Sequence, residues 1–184
     1  MSIFSKLVKP YRRGEKHFER GRAAESRGDF GKAREYFLEG AAAFDEHFEA
    51  EPVTGAGVRP SHLVMAGVCY VRIGRDEDGL RVLRECLSRK EIPDAFLNAG
   101  YAAAQLGRAD EAAELWSGYP SWAGQRVVER ALKEQVRLIR SGGTDLGAAC
   151  EAVARAVQEQ DRTNARDRNF REAGRRTSEF RQGY

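Results

Sequence analysis

One spacing of small residues recurs three times along this chain and restricts its fold more than any other feature. The first copy reads Gly21-x2-Ala24-x3-Gly28-Asp29-Phe30-x2-Ala33-x3-Phe37, and the second Gly67-x2-Tyr70-x3-Gly74-x4-Gly79-x3-Leu83. The third is Gly100-x2-Ala103-x3-Gly107-x4-Ala112-x3-Trp116. Gly28, Gly74 and Gly107 predict helix ends, where a left-handed residue without a Cβ caps the last turn cheaply. Gly21, Gly67 and Gly100 before each turn, with Ala33, Gly79 and Ala112 after it, leave room for two helices to approach closely. Phe37, Leu83 and Trp116 are expected to fill the space against the next copy. A helix hairpin built this way cannot bury its apolar face alone, so the copies must stack.

Composition agrees with helices throughout. Ala is abundant, runs of Val, Ile and Thr are scarce, and only 5 Pro occur among 184 residues, a balance that favours helix over strand. Gly67 and Gly100 are 33 residues apart, against a period of about 34 in tetratricopeptide repeats. Gly21 and Gly67 are 46 apart, one such period plus an insertion of about 12. The chain resembles the tetratricopeptide repeat (TPR) family over residues 14–157. It departs from the family at the Trp expected early in each first helix, which here is His17, Leu63 and Phe96. The resemblance implies an all-α chain, a right-handed α-solenoid of TPR helix hairpins with three repeats and a degenerate fourth as the cap. The fourth unit covers residues 126–157: Arg126 to Arg140 carries Val127, Val128, Leu132, Val136 and Ile139 on one side, followed by a break at Ser141-Gly142-Gly143-Thr144 with Thr144 as capping candidate. Residues 1–13 form a basic N-terminal segment, and residues 158–184 an Arg-rich tail, helical or disordered.

The insertion divides into two parts. Phe37, Ala41, Phe44 and Phe48 recur at helical spacing, which extends the second helix of the first copy to about Ala50, and Glu51 to Gly57 is a loop. Gly55-x-Gly57 has neither a preceding strand nor a following Lys-Ser/Thr, so it is read as a flexible connector and not as a phosphate loop.

Charge narrows the functional classes. The chain has 31 Lys and Arg against 28 Asp and Glu, a net charge of +3. Residues 1–22 contribute +5 and residues 158–184 contribute +2, leaving −4 in the middle. Such a balance lacks the whole-domain basic surface that drives nucleic-acid binding. Contact with nucleic acid or an anionic membrane is confined to the ends, where Ile3, Phe4, Leu7 and Val8 interleave with Lys6, Lys9, Arg12 and Arg13. The competing expectation for this segment is a first helix packed on the open end of the stack. Cys69, Cys86 and Cys150 stand far apart without a CxxC, and read as reduced, buried small hydrophobes. With no signal-peptide pattern at the N-terminus, a cytoplasmic protein is expected.

Catalytic patterns are not found. His17, His47 and His62 stand apart with no HExxH, there is no GxSxG, and Asp76-Glu77-Asp78 and Asp110-Glu111 fall at the starts of second helices, where carboxylates complement the helix dipole. The expectation is a protein that is not an enzyme, has no cofactor and no metal, and binds another protein. Its groove is expected on the first helices, at Phe18, Arg22, Val64, Met65, Val68, Leu97, Asn98 and Tyr101. That apolar strip suits an amphipathic or extended segment, supplied by a partner or by an end of this same chain. The function expected is a TPR adaptor or assembly scaffold. The alternatives are a secretion-type chaperone for a client protein, as in small bacterial three-repeat chaperones, or a peripheral electrostatic adaptor to membrane or nucleic acid. The carboxylate clamp known from some TPR proteins would fall on Phe18, Arg22, Met65, Asp94 and Asn98, none of which matches its Lys, Asn and Arg pattern. Oligomeric state is not legible in the sequence.

Overall fold

The computed structural model describes residues 8–181 except residue 144, with side chains described through residue 167. The described residues are all-helical, with no strand. Eight α-helices follow one another: α1 Pro10–Ser26, α2 Phe30–Ala50, α3 Pro60–Arg72, α4 Asp76–Arg89, α5 Pro93–Gln105, α6 Ala109–Ser117, α7 Arg126–Arg140 and α8 Leu146–Arg181, with a short 3-10 turn at Ser121–Ala123.

The local chemistry sets the ends of the helices. α1, α3 and α5 each begin on a proline, whose fixed φ suits the first helical position and whose missing N–H would have been unpaired there anyway. Gly28, Gly74, Gly107 and Gly142 all have positive φ, between 68° and 84°. At each of them the glycine N–H and the following N–H turn back onto carbonyls of the last helical turn, as in Asp29 N to Ala24 O at 3.0 Å and Arg108 N to Ala103 O at 2.9 Å. Asp29 caps α2 by accepting from Lys32 N at 3.1 Å. For α8 the capping contact described is Asp145 Oδ1 accepting from Ala148 N at 2.9 Å. Thr144, the expected cap, lies outside the described residues, as do Ile3, Phe4 and Leu7.

The repeated glycines do pack the hairpins: a Cβ on Gly79 would come within 3.3 Å of Gly67 O, as expected, and the large side chain of each second helix fills the notch as well. A Cβ on Gly21 would meet the Phe37 ring at 2.6 Å, one on Gly67 would meet Leu83 at 2.4 Å, and one on Gly100 would meet Trp116 at 2.4 Å. Phe37, Leu83 and Trp116 therefore lie over the glycine of their own hairpin instead of reaching only for the next one. The reason is geometric: the large side chain of the second helix needs the notch that a missing Cβ leaves in the first. Two further notches fall in the enlarged first hairpin, Gly14 under Phe44 at 2.8 Å and Gly40 against Cys69 Sγ at 2.9 Å. The extension of α2 to Ala50 is thus matched by an extra turn at the start of α1.

The connector between α2 and α3 is tied down, not loose. The Arg89 guanidinium donates to Val53 O and Val58 O, both at 2.8 Å, and to Gly55 O at 3.2 Å, while Glu85 holds its Nε at 2.7 Å. Gly57 N–H is taken by the Glu51 carboxylate at 3.1 Å, so a side chain of the chain itself occupies the amide that a phosphate loop would present.

Helices α1, α3 and α5 stand side by side in one layer, and each second helix packs on the first helix that follows it. This packing is consistent with a helical repeat. The last pair breaks the row of first helices: α7 packs on α6 as the pattern requires, but it is α8 that packs beside α5. The expected boundaries at residues 13/14 and 157/158 fall inside α1 and α8. Neither proline nor glycine occurs between Gly147 and Gly174, so nothing stops the helix at the end of the fourth unit.

Candidate functional site

The row α1, α3, α5, α8 encloses a cleft of ≈ 830 Å³. It lies at the C-terminal ends of α1 and α3, against the middle of α5, with Val153, Val157 and Asp161 of α8 as the facing wall. Residues 153, 157 and 161 lie one helical turn apart and share a face, while the neighbouring face of α8, Ala149, Cys150, Val153, Ala156 and Gln160, is buried. Gln160 is 5% exposed and accepts from Val127 N at 2.9 Å, which ties α8 to the first turn of α7.

Of the eight residues expected in a groove, the cleft brings together Arg22, Leu97, Asn98 and Tyr101. The other four are outside it. Val68 is 2% exposed and belongs to the core, and Phe18, Val64 and Met65 are half-buried against core residues. Phe18, Val64 and Met65 keep part of their surface in solvent along the middle of the first helices, while the cleft lies at the end where those helices meet α8. Cys150 of α8 is buried beside this end of the strip, with its Sγ 3.9 Å from Tyr101 O.

The floor of the cleft is an ionic network among Arg22, Glu25, Arg72 and Asn98, residues whose spacing puts them on the first helices but does not pair them. Arg72 donates through Nε to Glu25 Oε1 at 2.7 Å and through Nη1 to Asn98 Oδ1 at 3.0 Å. Arg22 reaches the other Glu25 oxygen at 3.0 Å. Asn98, 4% exposed, donates in turn to Asp94 O at 2.7 Å, so its amide is satisfied and its orientation is set. Burial raises the Tyr101 hydroxyl pKa above the usual phenol value. Leu97 and Val71 supply apolar floor, and Phe30, 55% exposed, stands at the rim. A network of this kind binds and orients; it contains no nucleophile paired with a base.

A second cluster joins α1, α2 and α3. Tyr11 stacks on His62 with ring centroids 4.6 Å apart, and His47 meets the edge of His62 at 5.4 Å. Sequence spacing had separated these histidines; helix packing brings them together. His62 is 3% exposed, with Nδ1 buried and unbonded among the described residues, and its Nε2 is 3.5 Å from Glu15. Among the described residues no group of three or more His, Cys, Asp or Glu could hold a metal ion. Burial holds both histidines below their usual pKa, opposed by Glu51 at His47 and by Glu15 at His62. An unfolded histidine takes up a proton as the pH falls through about 6.5, and these folded ones resist it. Their neutral packing is therefore fully stabilising above about pH 6.5 and weakens below it. The midpoint of thermal unfolding should fall between about pH 7 and pH 5, and His62→Phe should flatten that dependence. Equal slopes in circular-dichroism melts of the two proteins would count against this cluster as the source.

The three thiols are free and buried. Burial pushes Cys69 up to about 12 and Cys86 and Cys150 up to about 11, which leaves them unreactive at neutral pH. No described helix is long and apolar enough to cross a membrane. No family model matches the chain, and no curated protein matches it significantly.

Proposed function

We propose that this protein is a non-enzymatic interaction module of TPR type, a right-handed solenoid of three hairpins with the α7–α8 pair as a diverged cap, which holds a segment of another protein in the cleft between α5, α8 and the ends of α1 and α3. The cleft carries the reading: an open space of ≈ 830 Å³ with apolar floor, an aromatic rim and fixed polar groups is what an amphipathic segment needs for affinity and orientation. Three buried, unpaired cysteines fit a reducing, cytoplasmic setting.

Affinity purification of the full chain with mass-spectrometric identification should recover a specific protein. Tyr101→Ala should weaken its capture by roughly 2 kcal/mol, as expected for an aromatic anchor. Met65→Glu, outside the cleft, should leave capture intact. Loss of the partner with Met65→Glu but not with Tyr101→Ala would move the site to the middle of the first helices and defeat the proposal. Deleting residues 158–184 is not a neutral control, because it removes Gln160 and the Asp161 wall.

A further inference from the structure

We infer that the cleft recognises an acidic side chain of its protein partner, with Arg72 as the anchor and Glu25 as the internal carboxylate that an incoming one competes against. This rests on the reading of the cleft as a peptide site and specifies the chemistry of its occupant.

The argument begins with how Arg72 is held. Its side chain is 21% exposed, and two of its three nitrogens are bound from two different helices, Nε by Glu25 of α1 and Nη1 by Asn98 of α5. Nη2 makes no hydrogen bond among the described residues, although Arg72 lines the cleft. A guanidinium whose plane is locked by two partners has already lost its rotamer freedom, so the remaining donors can bind a carboxylate with little further ordering. The charge balance points the same way. Glu25 is shared between Arg22 and Arg72, so one carboxylate faces two guanidiniums and the floor keeps a surplus of positive charge. On the facing wall Arg162 pairs with Glu159 at 3.6 Å, and Asp161 beside it presents a carboxylate, so the surplus of positive charge is local to the Arg22–Arg72 floor. Phe30 and Leu97 lie within the same space and take apolar groups next to the acid. An acidic, amphipathic segment matches this floor, with its carboxylate on Arg72 and its apolar groups on Phe30 and Leu97, away from Asp161. None of the charged residues depends on the chaperone-tail clamp positions except Arg22, which stands where that clamp has an Asn.

The test is selection of phage-displayed random 12-residue peptides on the full chain, followed by titration of the best binder. Wild type is expected to enrich Asp or Glu beside aromatic or aliphatic residues. Arg72→Gln should lose that acidic excess and bind the best acidic peptide at least tenfold more weakly while keeping the apolar preference. Glu25→Gln, which removes the internal competitor, should bind it several-fold more tightly; a residue serving only to hold the fold would not produce a gain. Enrichment of apolar peptides without an acidic excess overturns this inference and leaves the peptide-site reading standing. Absence of any enrichment overturns both. Should Arg72→Gln fail to fold, unchanged or weaker binding by Glu25→Gln is sufficient to overturn the inference. Displacement of the peptide by a mixed-sequence single-stranded oligonucleotide more readily than by acetate at equal charge would make the cleft a phosphate site, and overturns it as well.

Discussion

Replacing Trp116 with alanine is expected to lower stability by about 3–5 kcal/mol, the range for emptying the site of a large buried aromatic group. Trp116 is 2% exposed, lies over Gly100, and donates its indole N–H to Leu97 O at 3.1 Å, so the variant would leave both a cavity and a carbonyl without its donor. Gly100→Ala tests the same contact from the other helix. The added methyl would sit 2.4 Å from the indole and must force the ring or the helices apart, with an expected loss of about 1–3 kcal/mol. In the Trp116→Ala background the clash is gone, and alanine is favoured over glycine within a helix by up to about 1 kcal/mol. Gly100→Ala should therefore change sign, from destabilising in the wild type to neutral or stabilising in the variant. Denaturant titrations of the four proteins measure this directly. Additive effects would show that the notch and the ring are not a unit, and the equivalent pairs Gly21 with Phe37 and Gly67 with Leu83 would lose the same explanation.

Ala112→Asp should cost about 2–5 kcal/mol by a different route, the burial of a charge. Ala112 is fully buried in α6, one turn before Trp116. An aspartate there either stays ionised in a seam that excludes water or takes a proton, and both choices oppose folding at neutral pH. Glu114, two residues on and exposed, provides the control, since Glu114→Ala should shift stability by no more than about 0.5 kcal/mol. Equal melting temperatures for the two variants would mean that the small-residue column at Ala33, Gly79 and Ala112 does not face the hairpin seam.

These experiments also separate the parts of the molecule that local sequence determines from those it does not. The turns at Gly28, Gly74 and Gly107, the acidic starts of α4 and α6, the extent of α2 to Ala50 and the limits of α7 at Arg126 and Arg140 were all legible, because each depends on residues within a few positions of one another. The pairing of Gly21, Gly67 and Gly100 with Phe37, Leu83 and Trp116 was legible as a spacing, although not as a contact. Pro10, Pro60 and Pro93 stand at the first positions of α1, α3 and α5, a start signal as local as the turn glycines but outside the recurring glycine spacing. The site was harder to read. Helical periodicity defines which face of α8 is apolar but not which neighbour it meets, and only the packing of α8 beside α5 makes Val153, Val157 and Asp161 part of a cleft. Val68 and Arg72, one turn apart on α3, meet opposite fates for the same reason: the interior closes over the first, and the gap before α8 leaves the second within the cleft. The Glu25–Arg72–Asn98 network spans three helices, and the His47–His62 contact spans two. Contacts of that separation arise from how whole helices dock, a balance of buried area and shape over many residues that no short spacing encodes.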